Sequence, residues 1–151
     1  MKIIIGNDHA GVELKQNLVK YLQEKGNEVI NVGTDTHESV DYPDIAEAVG
    51  KLVLENKDSL GIIVCGTGIG ISIAANKLKG IRAALCHNEL TARLARQHND
   101  ANIISLGARI IGEDLAKACV DAFLETEFEG GRHSGRVEKI NALGKMGSCR
   151  A

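Results

Sequence analysis

The sequence predicts an α/β fold, a three-layer αβα sandwich on a Rossmann-like, five-stranded parallel sheet. Two observations predict it. Short β-branched apolar runs alternate with amphipathic stretches of about 10–15 residues, the pattern of successive βαβ units. One of these runs, Leu60-Gly61-Ile62-Ile63-Val64, passes without a spacer into the turn Cys65-Gly66-Thr67-Gly68-Ile69-Gly70 and then into Ile71-Ser72-Ile73-Ala74-Ala75-Asn76-Lys77-Leu78, which reads as a helix start. Strand, glycine turn and helix in that order bring backbone N–H groups and the positive end of a helix dipole to one point.

The elements follow in order. Lys2 to Gly6 reads as the first strand. Val12 to Lys25 carries Val12, Leu14, Leu18, Val19, Tyr21 and Leu22 at helical spacing and is stopped by Gly26. Glu28 to Val32 is the second strand, followed by a polar connection that holds the only proline, Pro43. Asp44 to Asn56 is a helix with Ile45, Ala48, Val49, Leu52 and Val53 on one face. Gly61 to Val64 is the third strand, Ile81 to Cys86 the fourth and Asn102 to Leu106 the fifth. Asn88 to Gln97, Gly112 to Glu125 and Gly135 to Leu143 read as further helices. Residues 1–144 form a single expected domain, and 145–151 a polar tail.

Composition narrows the function. A chain of 151 residues fits one domain with a real core, and 44% hydrophobic with 25% charged residues is the make-up of an ordinary soluble protein. A net charge of −2 gives no electrostatic case for a nucleic-acid partner. Aromatic residues are only 3%, with no Trp, which removes the usual stacking platform for bases or flavins. No apolar run approaches the roughly 18 residues that span a bilayer, so no membrane association is expected. Met1 to Gly6 is too short for a secretion signal and reads as a buried strand. Cytoplasmic location with reduced thiols is therefore the expectation. Of Cys65, Cys86, Cys119 and Cys149, no two form a Cys-x-x-Cys pair. Cys86 and Cys119 read as small core residues and Cys149 as incidental.

In an open parallel sheet, ligands bind beyond the carboxyl ends of the strands. The segments there are Asn7-Asp8-His9-Ala10-Gly11, the Cys65 loop, His87-Asn88 and Gly107-Ala108-Arg109. Asp8-His9 admits three readings: a metal pair, an acid/base pair, or a helix cap beside an imidazole. A metal is disfavoured because no further ligand lies at suitable spacing. The glycine loop is not a P-loop, since no Lys-Ser/Thr follows it, and its glycines at 66, 68 and 70 do not match G-x-G-x-x-G. Nor is it a cysteine-phosphatase loop, because Ile71 stands where the arginine would be. What remains is a pocket of N–H donors for an oxyanion with Cys65 as base or nucleophile, against the plainer reading of a tight turn with an inert thiol. Gln97-His98-Asn99-Asp100 is a cluster of hydrogen-bonding side chains. Arg132 and Arg136, if helical, share a face and suit a phosphate, against the reading of a solvated basic face.

With these motifs assembled, Gly6-Asn7-Asp8-His9-Ala10-Gly11, Asp41-Tyr42-Pro43, Cys65 through Lys77, Arg96-Gln97-His98-Asn99-Asp100 and Glu129-Gly130-Gly131-Arg132-His133, the chain resembles the ribose-5-phosphate isomerase B family. That family lies within a wider group that includes galactose-6-phosphate isomerase subunits, and the resemblance runs from Lys2 to about Leu143. It implies an aldose–ketose isomerase without metal or other cofactor, working through a cis-enediolate on a pentose phosphate in the non-oxidative pentose phosphate pathway. Cys65 matches the catalytic base. Some members use a Glu in the helix start instead, and Ile71 occupies that place here. The resemblance implies that Gly66, Thr67, Gly68, Ile69 and Gly70 hold the anion, and that Thr67 bonds the sugar near the reacting carbons. His98, with Asp8, would open the ring, and Asn99 would bind a substrate oxygen. His9, Arg109, Arg132 and Arg136 would reach toward the phosphate. It also implies a homodimer or a dimer of dimers, with sites shared between subunits and His98 or the arginines supplied opposite Cys65. Rival readings are the same chemistry on allose 6-phosphate or galactose 6-phosphate, and a non-catalytic, flavodoxin-like nucleotide-binding module.

Overall fold

The structure is a computed structural model and describes residues 1–144. The expected tail, 145–151 with Cys149, lies outside the described residues. The strands are β1 (Lys2–Asn7), β2 (Glu28–Asn31), β3 (Leu60–Cys65), β4 (Ala83–Leu85) and β5 (Ile103–Gly107). The helices are α1 (Val12–Glu24), α2 (Tyr42–Glu55), α3 (Ile69–Ala75), α4 (Glu89–Asn99), α5 (Glu113–Glu125) and α6 (Arg132–Ala142). All strand pairs are parallel, in the order β2-β1-β3-β5-β4.

Side-chain alternation along the central strands makes two cores. Ile3, Ile5, Ile62, Val64, Ile104 and Leu106 point to the face covered by α1, α4 and α5. Ile4, Ile63, Cys65 and Ile103 point to the face covered by α2 and α3. The chain leaves β1 toward β2, then crosses back to β3 on the other side of β1, so the topological switch lies between β1 and β3. The carboxyl ends of those two strands carry Asp8-His9 and the Cys65 loop, which is where the sequence placed them.

Most boundaries shift by a residue or two from the sequence reading, and four of the shifts have clear local reasons. α2 starts at Tyr42 because Pro43 falls in its first turn, where a fixed φ suits the helix and a missing N–H costs nothing. α3 starts at Ile69, two residues earlier than expected, directly after Gly68 at φ +76°. β4 is only three residues, since the N–H of Ile81 turns back to the Leu78 carbonyl and that of Arg82 bonds the Asn102 side chain. α6 starts at Arg132 instead of Gly135, after Gly130 and Gly131 at φ +68° and +56°. Arg132 and Arg136 therefore lie one turn apart on a helix.

Cys86 and Cys119 are core residues as expected, 2% and 0% exposed. Burial pushes both thiols up, that of Cys119 to about 11, which keeps them protonated and unreactive. No helix among the described residues is long and apolar enough to cross a membrane. Phe123 is wholly buried where α5 meets the sheet. Phe123→Ala should lower unfolding stability by about 3–5 kcal/mol, read as a shift in the urea midpoint at fixed protein concentration.

Candidate active site

β1 ends at Asn7, and the backbone N–H of Asp8 still donates to the Val64 carbonyl at 3.0 Å, which ties the start of this loop to β3. Asp8 is buried, and its Oδ1 accepts the Ala10 N–H at 2.9 Å, capping the 3₁₀ turn His9–Gly11. The cap reading thus holds for one carboxylate oxygen; no hydrogen bond engages Oδ2 among the described residues. The next side chain, His9, accepts the Val40 N–H on Nδ1 at 3.2 Å. The neutral ring then carries its proton on Nε2, leaving a donor free for an anion.

At the end of β3, the Cys65 Sγ accepts the Gly68 N–H at 3.1 Å, and Cys65 is 4% exposed. Thr67 Oγ1 accepts the Ile69 N–H at 3.1 Å. The Ser105 hydroxyl donates to the Gly68 carbonyl at 2.7 Å and anchors the turn to β5. Glycine is required at 68: φ is +76°, and a Cβ would lie 2.8 Å from the Leu106 carbonyl carbon. Two of the expected anion donors, the N–H groups of Gly68 and Ile69, are therefore engaged inside the loop. The N–H groups of Gly66 and Thr67 have no partner among the described residues, and that of Gly70 lies in the first turn of α3, where helix N–H groups lack intrahelical acceptors.

Two side chains border the loop. The Arg109 backbone N–H donates to the Gly66 carbonyl at 2.9 Å, and its exposed guanidinium lies over Gly66, with Nη1 3.2 Å from where a Cβ would sit. Tyr42 packs its phenol ring on Gly70, Oη 2.9 Å from the equivalent point. Tyr42 and Ser105 both reach the loop from distant parts of the chain, so nothing in the local sequence places either of them there.

His98, Asn99, Arg132 and Arg136 are elsewhere. α4 leaves the carboxyl end of β4 and runs back to the amino end of β5, so its last residues lie at the opposite edge of the sheet from Cys65. At about 3.3 Å per strand residue, β5 alone separates the two edges by roughly 15 Å. Asp100, at φ +45°, caps α4. Arg82 donates to the Asn99 and Asp100 carbonyls at 3.1 and 2.7 Å, and Arg96 to the Asp100 carboxylate and Ala101 carbonyl at 3.0 and 2.6 Å. His98 stacks on His133 of α6, ring centroids 4.4 Å apart and 16° from parallel. Burial and the neighbouring His98, Arg132 and Arg136 hold the His133 imidazole below its usual value, against an opposing pull from Glu129. Arg132 and Arg136 are exposed, and neither they nor Arg109 makes an ion pair among the described residues.

His98, Glu129 and His133 each place one possible metal-ligand atom within 4.8 Å of the others. Near-parallel stacked rings aim their in-plane lone pairs side by side, so the two imidazoles do not converge on one ion in this arrangement. Among the described residues, no third His, Cys, Asp or Glu joins Asp8 and His9 in a group of possible metal ligands.

The expected site residues thus fall in two groups: a thiol with N–H donors, His9 and Arg109 at the carboxyl edge, and at the amino edge an imidazole with two guanidinium groups that make no ion pair among the described residues. A sequence model described as Ribose/Galactose Isomerase matches residues 3–140. Ribose-5-phosphate isomerase B of Escherichia coli is 50% identical over 142 residues, 94% of this chain and 95% of the relative. D-erythrulose-4-phosphate isomerase of Pectobacterium atrosepticum is 47% identical, over 93% of both chains. The crystal structure of ribose-5-phosphate isomerase B from Clostridium thermocellum superposes with a TM-score of 0.93 at 53% identity, covering 96% of this chain and 98% of that one. That of the Mycoplasma genitalium enzyme with bound ribulose 5-phosphate has a TM-score of 0.89 at 44% identity, covering 93% of both. The chain belongs to the ribose/galactose isomerase family.

Proposed function

We propose that the chain interconverts ribose 5-phosphate and ribulose 5-phosphate through a cis-enediolate, with Cys65 as the base. The observation that carries the reading is the Cys65 thiol at the head of a turn with uncommitted N–H groups, on the switch edge of the sheet. The base takes the proton from C2 of the open aldose. With sulfur acting as the thiolate, the C2–H pair becomes a C1–C2 double bond and the carbonyl pair moves onto the C1 oxygen; the C2 hydroxyl proton then passes to that oxygen, the C2 carbonyl forms, and the double-bond pair takes the proton held by sulfur at C1. Negative charge develops on the enediolate oxygens, where the N–H groups of Gly66, Thr67 and Gly70 hold it. Gly68 and Ile69 shape this loop through their internal bonds. Thr67 bonds the sugar near the reacting carbons.

The remaining groups bind and open the sugar. His98, with Asp8, opens the furanose ring, and Asn99 holds a substrate oxygen. His9, Arg109, Arg132 and Arg136 take the phosphate. The separation of the sheet edges supports a site completed by a second copy, one subunit giving Cys65 and its loop, the other His98, Asn99, Arg132 and Arg136. A two-fold dimer then holds two equivalent sites. Exposed Ile69, Leu85 and Ile110 beside the loop are the apolar surface such a partner would cover. Cys65, Cys86 and Cys119 are all unpaired, in keeping with work in the reducing cytoplasm. The name of the Pectobacterium relative supports a second reading, the same chemistry on a four-carbon sugar phosphate. Parallel assays with ribose 5-phosphate, erythrulose 4-phosphate, allose 6-phosphate and galactose 6-phosphate decide the substrate.

Three outcomes are expected. Cys65→Ala should lower kcat by about 10²–10⁴-fold while sugar-phosphate affinity stays within a few-fold; near-normal turnover would remove Cys65 from the base role. His98→Asn should impair isomerisation of ring-closed ribose 5-phosphate far more than that of an acyclic sugar phosphate, such as an aldotetrose 4-phosphate, which has no free hydroxyl to close a furanose; an equal loss on the two substrates would refute ring opening by His98. Co-expressed Cys65→Ala and His98→Asn chains should recover about a quarter of wild-type activity on ring-closed substrate, since half of randomly paired dimers hold one intact site of two. No recovery above the single variants would place both residues in one subunit's site.

A further inference from the structure

Lys15, on α1, is wholly buried, which is rare for a lysine. Its ammonium meets three acceptors: the Asn31 side-chain oxygen at 3.3 Å, the Thr34 carbonyl at 3.0 Å and the Asp35 carboxylate. All three belong to the end of β2 or to the irregular connection 33–41, which leads into α2. This connection is mostly exposed. Polar contacts hold it. The Asn7 amide donates to the same Thr34 carbonyl at 3.0 Å, and the Thr34 N–H returns to the Asn7 carbonyl at 3.3 Å. A Cβ at Gly33 would lie 1.9 Å from Asn7 Oδ1, so the connection is pressed directly against the end of β1.

The far end of this connection touches the site at two places. Val40 supplies the N–H accepted by His9 Nδ1, and Tyr42 sets its phenol on Gly70. The bond to Val40 decides which His9 nitrogen carries the proton, and therefore whether Nε2 can donate to an anion. We propose that Lys15 is a positioning residue of the phosphate site: it anchors the 33–41 connection so that Val40 holds His9 in its Nε2–H tautomer. This rests on the phosphate role of His9 proposed above. Only the Lys15 end of this ion pair is buried, while Asp35 is exposed, so the pair adds little stability against the cost of desolvating the ammonium, which an apolar side chain of similar volume would avoid. Lys15 is replaceable in the core by that argument, but no apolar residue could hold Thr34 and Asp35.

The test is Lys15→Met in the full chain, with Asp35→Ala as a second variant that alters only the exposed end of the contact. The first readout is the ¹⁵N chemical shifts of the His9 ring in the unliganded protein, which report its tautomer without any assay of turnover. The wild type should show an unprotonated Nδ1 and a protonated Nε2. Lys15→Met should move both shifts toward averaged tautomers, and Asp35→Ala should move them less in the same direction. The second readout is kinetic. KM for ribose 5-phosphate should rise about tenfold in Lys15→Met, the scale of one weakened charge-assisted hydrogen bond, with kcat within about twofold. If Lys15→Met does not fold, Asp35→Ala decides. Unchanged His9 shifts in the folded variants would overturn the proposal. Shifted His9 signals with no change in KM would keep Lys15 as the anchor and overturn the role of His9 in phosphate binding.

Discussion

A right-handed parallel crossover returns every helix against the direction of the strands, and this constraint decides where the chemistry of the chain lies. Residues that follow strands gather at one edge of the sheet. Residues that end helices gather at the other. Asp8, His9, Cys65 and Arg109 follow strands; His98 and Asn99 end α4, and α6 packs beside them through His133. No loop in the described chain is placed to join the two sets. The winding of the fold thus divides the candidate side chains between two edges of the sheet, and the proposed two-subunit site rests on that separation.

Much of this was legible in the sequence. β1 and β3 are short β-branched runs followed at once by polar or glycine-rich residues, so both the strands and the loops beyond them could be read directly. The topological rule then placed Asp8-His9 beside the Cys65 loop, where the structure has them. The helical spacing of Arg132 and Arg136 was conditional on an α6 that began early enough, and Gly135 hid that start. The glycine reads as a boundary but stands inside the helix, because the turn is made by Gly130 and Gly131.

What could not be read was contact between distant segments. Ser105 looks like an ordinary polar residue in an apolar strand until its hydroxyl is seen holding the Gly68 carbonyl. Tyr42 stands 28 positions before Gly70, and nothing in spacing announces that one rests on the other. The loop donors illustrate the same limit. Sequence counts every N–H from 66 to 70 as available, whereas the folded turn uses two of them on Cys65 and Thr67 to hold its own shape. Lys15 offers no pattern at all, since a lysine on an amphipathic helix is ordinarily taken for the solvent face.

Arg82, just before β4, and Arg96, in the last turn of α4, together act on the electrostatics of the surface around His98. A helix that ends near an anion-binding surface presents the negative pole of its dipole there, and the four last carbonyls would repel a phosphorylated ligand. Here Arg82 and Arg96 bond the Asn99, Asp100 and Ala101 carbonyls, and each lies near the Asp100 carboxylate, at 3.5 and 3.0 Å. Two cations thereby offset one carboxylate and the helix pole together. In the proposed site, the charges of Arg132 and Arg136, which make no ion pair among the described residues, then stand without a carboxylate to offset them.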